Sequence, residues 1–325
     1  ILGLAAAYVA WGQLPLVAAL FLGVKAAVVV IVIEALLRVA RRALKGRVQW
    51  LIALGALVGI FFLNLPFPFL ILLAGLVGAG LLAPASPPER PAAAGSGAGH
   101  LIPALAIGGA LWAAPLLLAA AMDQTFLLQV GLFFSKLALV TFGGAYAVLA
   151  YMTQTVVQSF GWLTTAQMMD ALGLAETTPG PLILVTVFVA LVAGYGQAGW
   201  ISGLLAGVMA LWVTFVPCFL WIFAFAPFIE GIARRPRLQA ALSGISAAVV
   251  GVIASLGLWF ALRVLFTDVT AWHLGPLILP SVAGPDLKSM LIMAVAGWLL
   301  LARHSSLFVV LALSAGLGLL ATLAP

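Results

Sequence analysis

Leu174-Ala175-Glu176-Thr177-Thr178-Pro179-Gly180-Pro181-Leu182 interrupts apolar sequence that is otherwise suited to crossing a membrane, and Thr141-Phe142-Gly143-Gly144-Ala145-Tyr146 interrupts it once more upstream. In hydrocarbon an unpaired backbone group costs several kcal/mol, so a helix broken at depth survives only where it is buried in protein or lines a wet cavity. Pro179 and Pro181 lack the amide hydrogens that a continuing helix needs, and Gly180 lets the backbone turn. The amides after Pro181 then open a new helix, whose positive dipole end faces Glu176, Thr177 and Thr178. Such an end suits an anion.

The 325 residues are 65% hydrophobic and 7% charged, and the mean hydropathy is +1.28, far from a soluble domain. Apolar runs separated by short polar turns, with no period-two alternation over ten-residue segments, predict membrane helices rather than a barrel. The single Cys218 excludes an internal disulfide and a thiolate metal cluster. The net charge of +6 sits in short loops, at Arg38, Arg41, Arg42, Lys45 and Arg47 and at Arg234, Arg235 and Arg237. That clustering reads as membrane orientation, both loops being cytoplasmic, and not as nucleic-acid binding. No signal peptide stands at the front, and the missing initiator methionine suggests that the chain begins inside a longer one.

The two glycine and proline motifs, with Phe160-Gly161-Trp162-Leu163 between them, closely resemble the second half of the chromate ion transporter family, strongly over 129–195 and more weakly elsewhere. The resemblance implies a multi-pass carrier of the tetrahedral oxyanion chromate in the cell (inner) membrane, with export from the cytoplasm as its role.

A shift of 221 places Gly23 to Val29 on Gly244 to Val250 and Arg42 on Arg263, and a shift of 240 places Leu51-Ile52 on Leu291-Ile292 and Gly78 on Gly318. The difference between the shifts is an insert near 267–286. The chain therefore reads as two copies of one unit, the first lacking about a hundred upstream residues with its own glycine and proline motifs. Each basic loop of one copy falls opposite an uncharged stretch of the other, as expected if the copies lie upside down in the membrane. The expected fold is an all-α polytopic membrane helix bundle of two inverted repeats with broken or re-entrant helices. Residues 1–83 are the remainder of the first repeat, 84–100 a flexible cytoplasmic linker rich in proline, glycine and alanine, 101–123 a connecting span, and 124–325 the second repeat. Spans are expected at 1–13, 16–37, 48–63, 66–82, 101–121, 126–156, 182–195, 200–229, 238–262, 288–302 and 306–323. The hairpins 48–82 and 288–323 are built from segments at or below the roughly 20 residues needed to cross, so they are short, tilted or re-entrant.

Lys136 lies about ten residues into its expected span, roughly 15 Å deep, where a charge is costly and usually functional. With Gln129, Gly143, Ala147 and Gln154 it forms a small or polar stripe. One reading is a packing face with a snorkelling lysine. The sharper one has Lys136 attract the dianion while Gly143 and Gly144 let another backbone approach, with Phe142 beside them as a substrate-binding candidate. Lys25, nine residues into its span and opposite Ser246, is a second candidate cation. Thr177 and Thr178 offer hydroxyl donors, and Pro179, Gly180, Pro181 and Leu182 the helix end. Glu176 would repel the dianion when ionised, which makes it the candidate proton-coupling residue; the alternative is a structural ion pair with Lys136. Tyr146 and Tyr195 read as interface or packing residues, and Asp170 and Gln167 as a solvated face of the segment 164–173. Glu34 with Arg38 and Glu230 with Arg234 read as surface pairs at i, i+4.

Gly244-Ile245-Ser246-Ala247 superficially resembles the motif of an intramembrane serine hydrolase, but none of His100, His273 and His304 falls clearly within a span to activate Ser246. No motif for a zinc protease or a nucleotide-binding loop is present. A passive anion channel is a further alternative, since channels also use broken helices. The expectation is therefore a secondary transporter, not an enzyme, with chromate or sulfate as substrate, an ion gradient as driving force, the lipid bilayer as surroundings, and no cofactor, metal or nucleic acid. A homodimer is compatible with this reading, though no sequence feature fixes it.

Overall fold

The computed structural model describes residues 1–12, 14–83, 98–140, 145–177, 182–226, 235–275 and 277–323. Twelve α-helices among them make an all-α membrane bundle, and four helical segments are long and apolar enough to cross a bilayer: Pro15–Ala43, Leu101–Ala121, Leu182–Phe225 and Pro236–Leu265. At 1.5 Å per residue the 29 residues of α2 (Pro15–Ala43) and the 30 of α10 (Pro236–Leu265) exceed the roughly 30 Å of hydrocarbon. Each begins with a proline, where a missing amide costs nothing. Arg41 and Arg42 close α2 at its negative dipole end.

The middles of these two helices form the centre of the molecule. Ala26 to Val32 of α2 and Ala247 to Ile253 of α10 are buried throughout. The short hairpins pack crosswise on them: α3 (Arg47–Phe61) and α4 (Phe67–Leu81) lie against α10, while α11 (Leu287–Gly297) and α12 (Leu307–Leu323) lie against α2. Helices α3 and α4 have 15 residues each, about 22 Å, so the expectation of segments too short to span unaided holds.

Close approach at these crossings needs glycine. A Cβ on Gly244 would sit 2.3 Å from the Ala74 carbonyl oxygen and 2.8 Å from Gly78 Cα. A Cβ on Gly318 would sit 2.6 Å from the Ala19 carbonyl oxygen and 2.5 Å from the Gly23 nitrogen. Ala19 and Gly23 match Ala240 and Gly244 at the shift of 221, and Ala74 and Gly78 match Ser314 and Gly318 at 240, so each crossing joins equivalent positions. All four are pairs of small residues spaced i, i+4, the spacing that lets membrane helices touch backbone to backbone.

Helices α1 (Leu2–Trp11), α5 (Ala98–Ala121), α6 (Thr125–Val140) and α8 (Thr165–Thr177) pack on α9 (Val185–Phe225). Helix α9 is two arms: Ala198 has φ −148° and Gly199 has φ +78°, and Gly194 and Gly203 bring the arms together beyond that corner. The separate spans expected at 182–195 and 200–229 agree with this. Of the single span expected over 126–156, α6 runs to Val140 and α7 (Ala145–Thr153) passes into a π-helical turn at Gln154–Ser159; 141–144 lie outside the described residues.

One non-helical element departs from the expected pattern. Strands β1 (Phe266–Leu274) and β2 (Leu277–Pro285) form an antiparallel hairpin with Leu274 opposite Leu277 and Asp268 opposite Ala283. It occupies the insert between the two shifts. Its β-branched and aromatic residues favour strand, and Gly275 at φ +63° makes the turn. The Ile278 amide donates to the Phe62 carbonyl at 2.8 Å and ties the hairpin to the end of α3.

Candidate functional site

Helix α8 is the element on which ionisable groups collect. It lies along α2, and the contact is made at Gly173, where an added Cβ would come 2.3 Å from Val24 Cγ1. Asp170 and Glu176 stand on either side of that contact.

Asp170 is 5% exposed, a correction to the solvated face expected at 164–173. Hydropathy alone gave it no partner; the fold supplies two. Tyr8 Oη of α1 donates to Oδ2 at 2.8 Å, and Lys25 Nζ of α2 lies 3.3 Å from Oδ1 as an ion pair, without hydrogen-bond alignment. The Lys25 side chain keeps 25% of its surface exposed. Lys25 lies within the long apolar helix α2, as the span expected at 16–37 implies. Tyr8, whose ring also packs on Phe21 and Phe188, was not anticipated; an aromatic near the start of the chain carries no local signal of a partner 162 residues away.

Glu176, partly buried, accepts a hydrogen bond from Tyr146 Oη at 2.7 Å. This corrects both the ion pair with Lys136 and the packing role for Tyr146. Arg38 and Glu34 stand within electrostatic reach of Glu176 and Tyr146. They form their own pair at i, i+4, with the Arg38 guanidinium donating to Glu34 Oε1 at 2.6 Å. The pair expected at the surface is found there, with 58% of the Arg38 side chain and 30% of that of Glu34 exposed.

Lys136 lies on the exposed face of α6, with Gln129, Leu132 and Leu139, and forms no ion pair among the described residues. The expected stripe does not continue along one helix: Ala147 is 1% exposed, and Gln154 donates to Asn64 Oδ1 at 3.0 Å. Thr177 is the last residue of α8, and Leu182 opens a 3₁₀ turn that leads into α9. Phe142, Gly143, Gly144, Thr178, Pro179, Gly180 and Pro181, and the pair Glu230 with Arg234, lie outside the described residues. Ser246, on α10, has no histidine partner among the described residues, and no group of three metal-ligating side chains occurs among them.

Helix α8 thus carries two carboxylates into an apolar bundle, each accepting a hydrogen bond from a tyrosine. The family model described as chromate transporter matches residues 1–79 and 128–319. The chain belongs to the chromate transporter family. It is similar to the chromate transport protein of Pseudomonas aeruginosa, 33% identical over 246 residues, which cover 73% of this chain and 54% of that protein. It is similar also to the chromate transport protein of Cupriavidus metallidurans, 31% identical over 150 residues (46% and 35%), and to the probable chromate transport protein of Synechococcus elongatus, 32% over 141 residues (43% and 34%). The matched part is thus about half of the Pseudomonas relative's length and about a third of the other two. No solved structure matches the chain. Membership of the chromate transporter family and the spanning helices together make it a multi-pass membrane protein of the cell (inner) membrane.

Proposed function

We propose that the chain carries chromate, with sulfate as a competing tetrahedral dianion, across the cell membrane, exporting it at the expense of an ion gradient. The observation that carries the reading is the pair of partnered carboxylates on α8 beside the glycine and proline motif, in a chain that belongs to the chromate transporter family. The substrates of the named relatives support the choice of anion. An inside-negative potential of 100 mV favours departure of a dianion by about 4.6 kcal/mol, which makes export the direction that a cell's potential can drive.

Glu176 is the proton-coupling group in this account. Its ionised form repels the dianion, and Tyr146 holds it in place between turnovers. Lys25, Thr177, Thr178 and the helix end after Pro181 supply the positive and donating groups, with Gly143 and Gly144 allowing close approach. Of the two lysines, Lys25 is the one held by α8, so Lys25→Met is expected to cost more transport than Lys136→Met. The test is flux in vesicles holding the purified protein, with chromate and sulfate in competition under imposed pH gradients and potentials. Saturable chromate movement that sulfate inhibits and the potential accelerates supports the carrier. A non-saturating leak, or Lys136→Met as the larger loss, contradicts it.

A further inference from the structure

A chamber of about 330 Å³, apolar over most of its wall but carrying two cations, lies at the end of the bundle opposite both basic ends, the C-terminus of α2 and the N-terminus of α10. By the positive-inside rule that end faces away from the cytoplasm. Lys25 and Arg263 line it, with Thr165, Thr267, Asp286 and Ser289. Arg263 and Thr165 also line a neighbouring cavity of about 380 Å³ under the β hairpin, so Arg263 stands between two cavities.

The charges in this chamber are unequally committed. Asp286 is fully engaged as the cap of α11: Oδ1 accepts from the Lys288 and Ser289 amides at 3.0 and 3.2 Å, and Oδ2 from Ser289 Oγ at 2.7 Å. Arg263 forms no ion pair among the described residues, and its guanidinium lies 6.0 Å from the Trp259 ring centre. Lys25 reaches the chamber but is shared with buried Asp170, whose other oxygen takes the Tyr8 hydroxyl. The chamber is lined by two cations and one carboxylate, Asp286, while Asp170 lies behind the lining and is paired with Lys25. With Asp170 ionised, Lys25 is held back toward it; with Asp170 protonated, Lys25 is free to turn outward.

We propose that this chamber is an outward-facing site for a tetrahedral oxyanion, and that Asp170 competes with the anion for Lys25. The inference rests on the carrier reading above and adds a second anion station with its own control group. Arg263, Lys25 and the hydroxyl of Thr165 hold the anion, while the Thr267 hydroxyl donates to the Gly284 carbonyl at 3.1 Å. Anion arrival pulls Lys25 away from Asp170, and the carboxylate then takes up a proton, so binding and proton uptake rise together as pH falls. The ionisable groups facing Asp170 among the described residues are Tyr8 of α1 and Lys25 of α2; Arg263 of α10 and Asp286 at the start of α11 share the chamber.

The test is equilibrium binding of radiolabelled chromate to the purified chain in lipid nanodiscs at several pH values. Arg263→Gln and Lys25→Gln are each expected to weaken binding by at least about tenfold. Asp170→Asn is expected to tighten it and flatten its pH dependence, because Lys25 no longer has a competitor. Should Asp170→Asn fail to fold, Arg263→Gln, outside the buried pair, decides. The chamber is overturned if chromate is carried and bound while Arg263→Gln and Lys25→Gln bind as tightly as the parent, or if Asp170→Asn is folded and binds more weakly. If the parent chain neither binds nor carries chromate, the carrier reading falls and the chamber with it.

Discussion

Tyr146 and Glu176 meet across 30 residues of sequence through one 2.7 Å hydrogen bond between partly buried side chains. Tyr146→Phe keeps the ring and removes the donor. Leaving a buried acceptor unmatched costs about 1–3 kcal/mol, so the variant is expected to lower chromate flux by roughly tenfold and to displace its pH profile. Glu176→Gln is expected to flatten that profile. Flux recorded from pH 6 to pH 8 checks both, and unchanged profiles would remove Glu176 from proton coupling. At this scale the sequence was partly legible. Depth along an apolar run singled out Lys25 and Lys136, and the helix-breaking motif singled out Glu176. What it did not reveal was pairing: Asp170 looked solvated because a polar residue on a short segment is usually so. Its partners, Tyr8 and Lys25, come from helices more than a hundred residues away.

Helix α8 can carry two carboxylates into the bundle because Gly173 lets it lie directly on Val24 and Val28 of α2. Gly173→Ala forces a methyl group against a β-branched side chain with little freedom to move. The expected cost is on the order of 1–3 kcal/mol of stability, read as a fall in melting temperature in detergent, together with a weakened Lys25–Asp170 pair. A variant as stable and as active as the parent would show that α8 is not held by this contact. Elements were legible where hydropathy stops sharply, as at the ends of α2 and α10. They were not legible where apolar residues change conformation without changing polarity. The π turn at Gln154–Ser159 is of that kind, and so is the hairpin Phe266–Pro285, whose strands carry enough apolar residues to pass for loop or helix end.

Over the whole molecule, α2 and α10 each clasp a hairpin from the far half of the sequence through small-residue crossings at equivalent positions. That reciprocity supports the proposal of two related units, which rested in the sequence on alanine and valine runs and on the placement of basic loops. It predicts matched responses. Gly23→Ala and Gly244→Ala both drive a methyl group into backbone, which cannot yield as a side chain can, and each is expected to destabilise by on the order of 1–3 kcal/mol or more. Melting curves of the two variants check this; a large loss in one and none in the other would argue against equivalent crossings.

The central claim is that charge exchange along α2 and α8 moves a dianion through this bundle. The most direct measurement is chromate flux in sealed vesicles containing the purified chain, at a fixed inside-negative potential, for the parent and for Lys25→Met. The account predicts saturable, potential-accelerated chromate exit from the parent and a loss of at least about tenfold in the variant. Equal flux from both, or chromate movement indifferent to the potential, would contradict it.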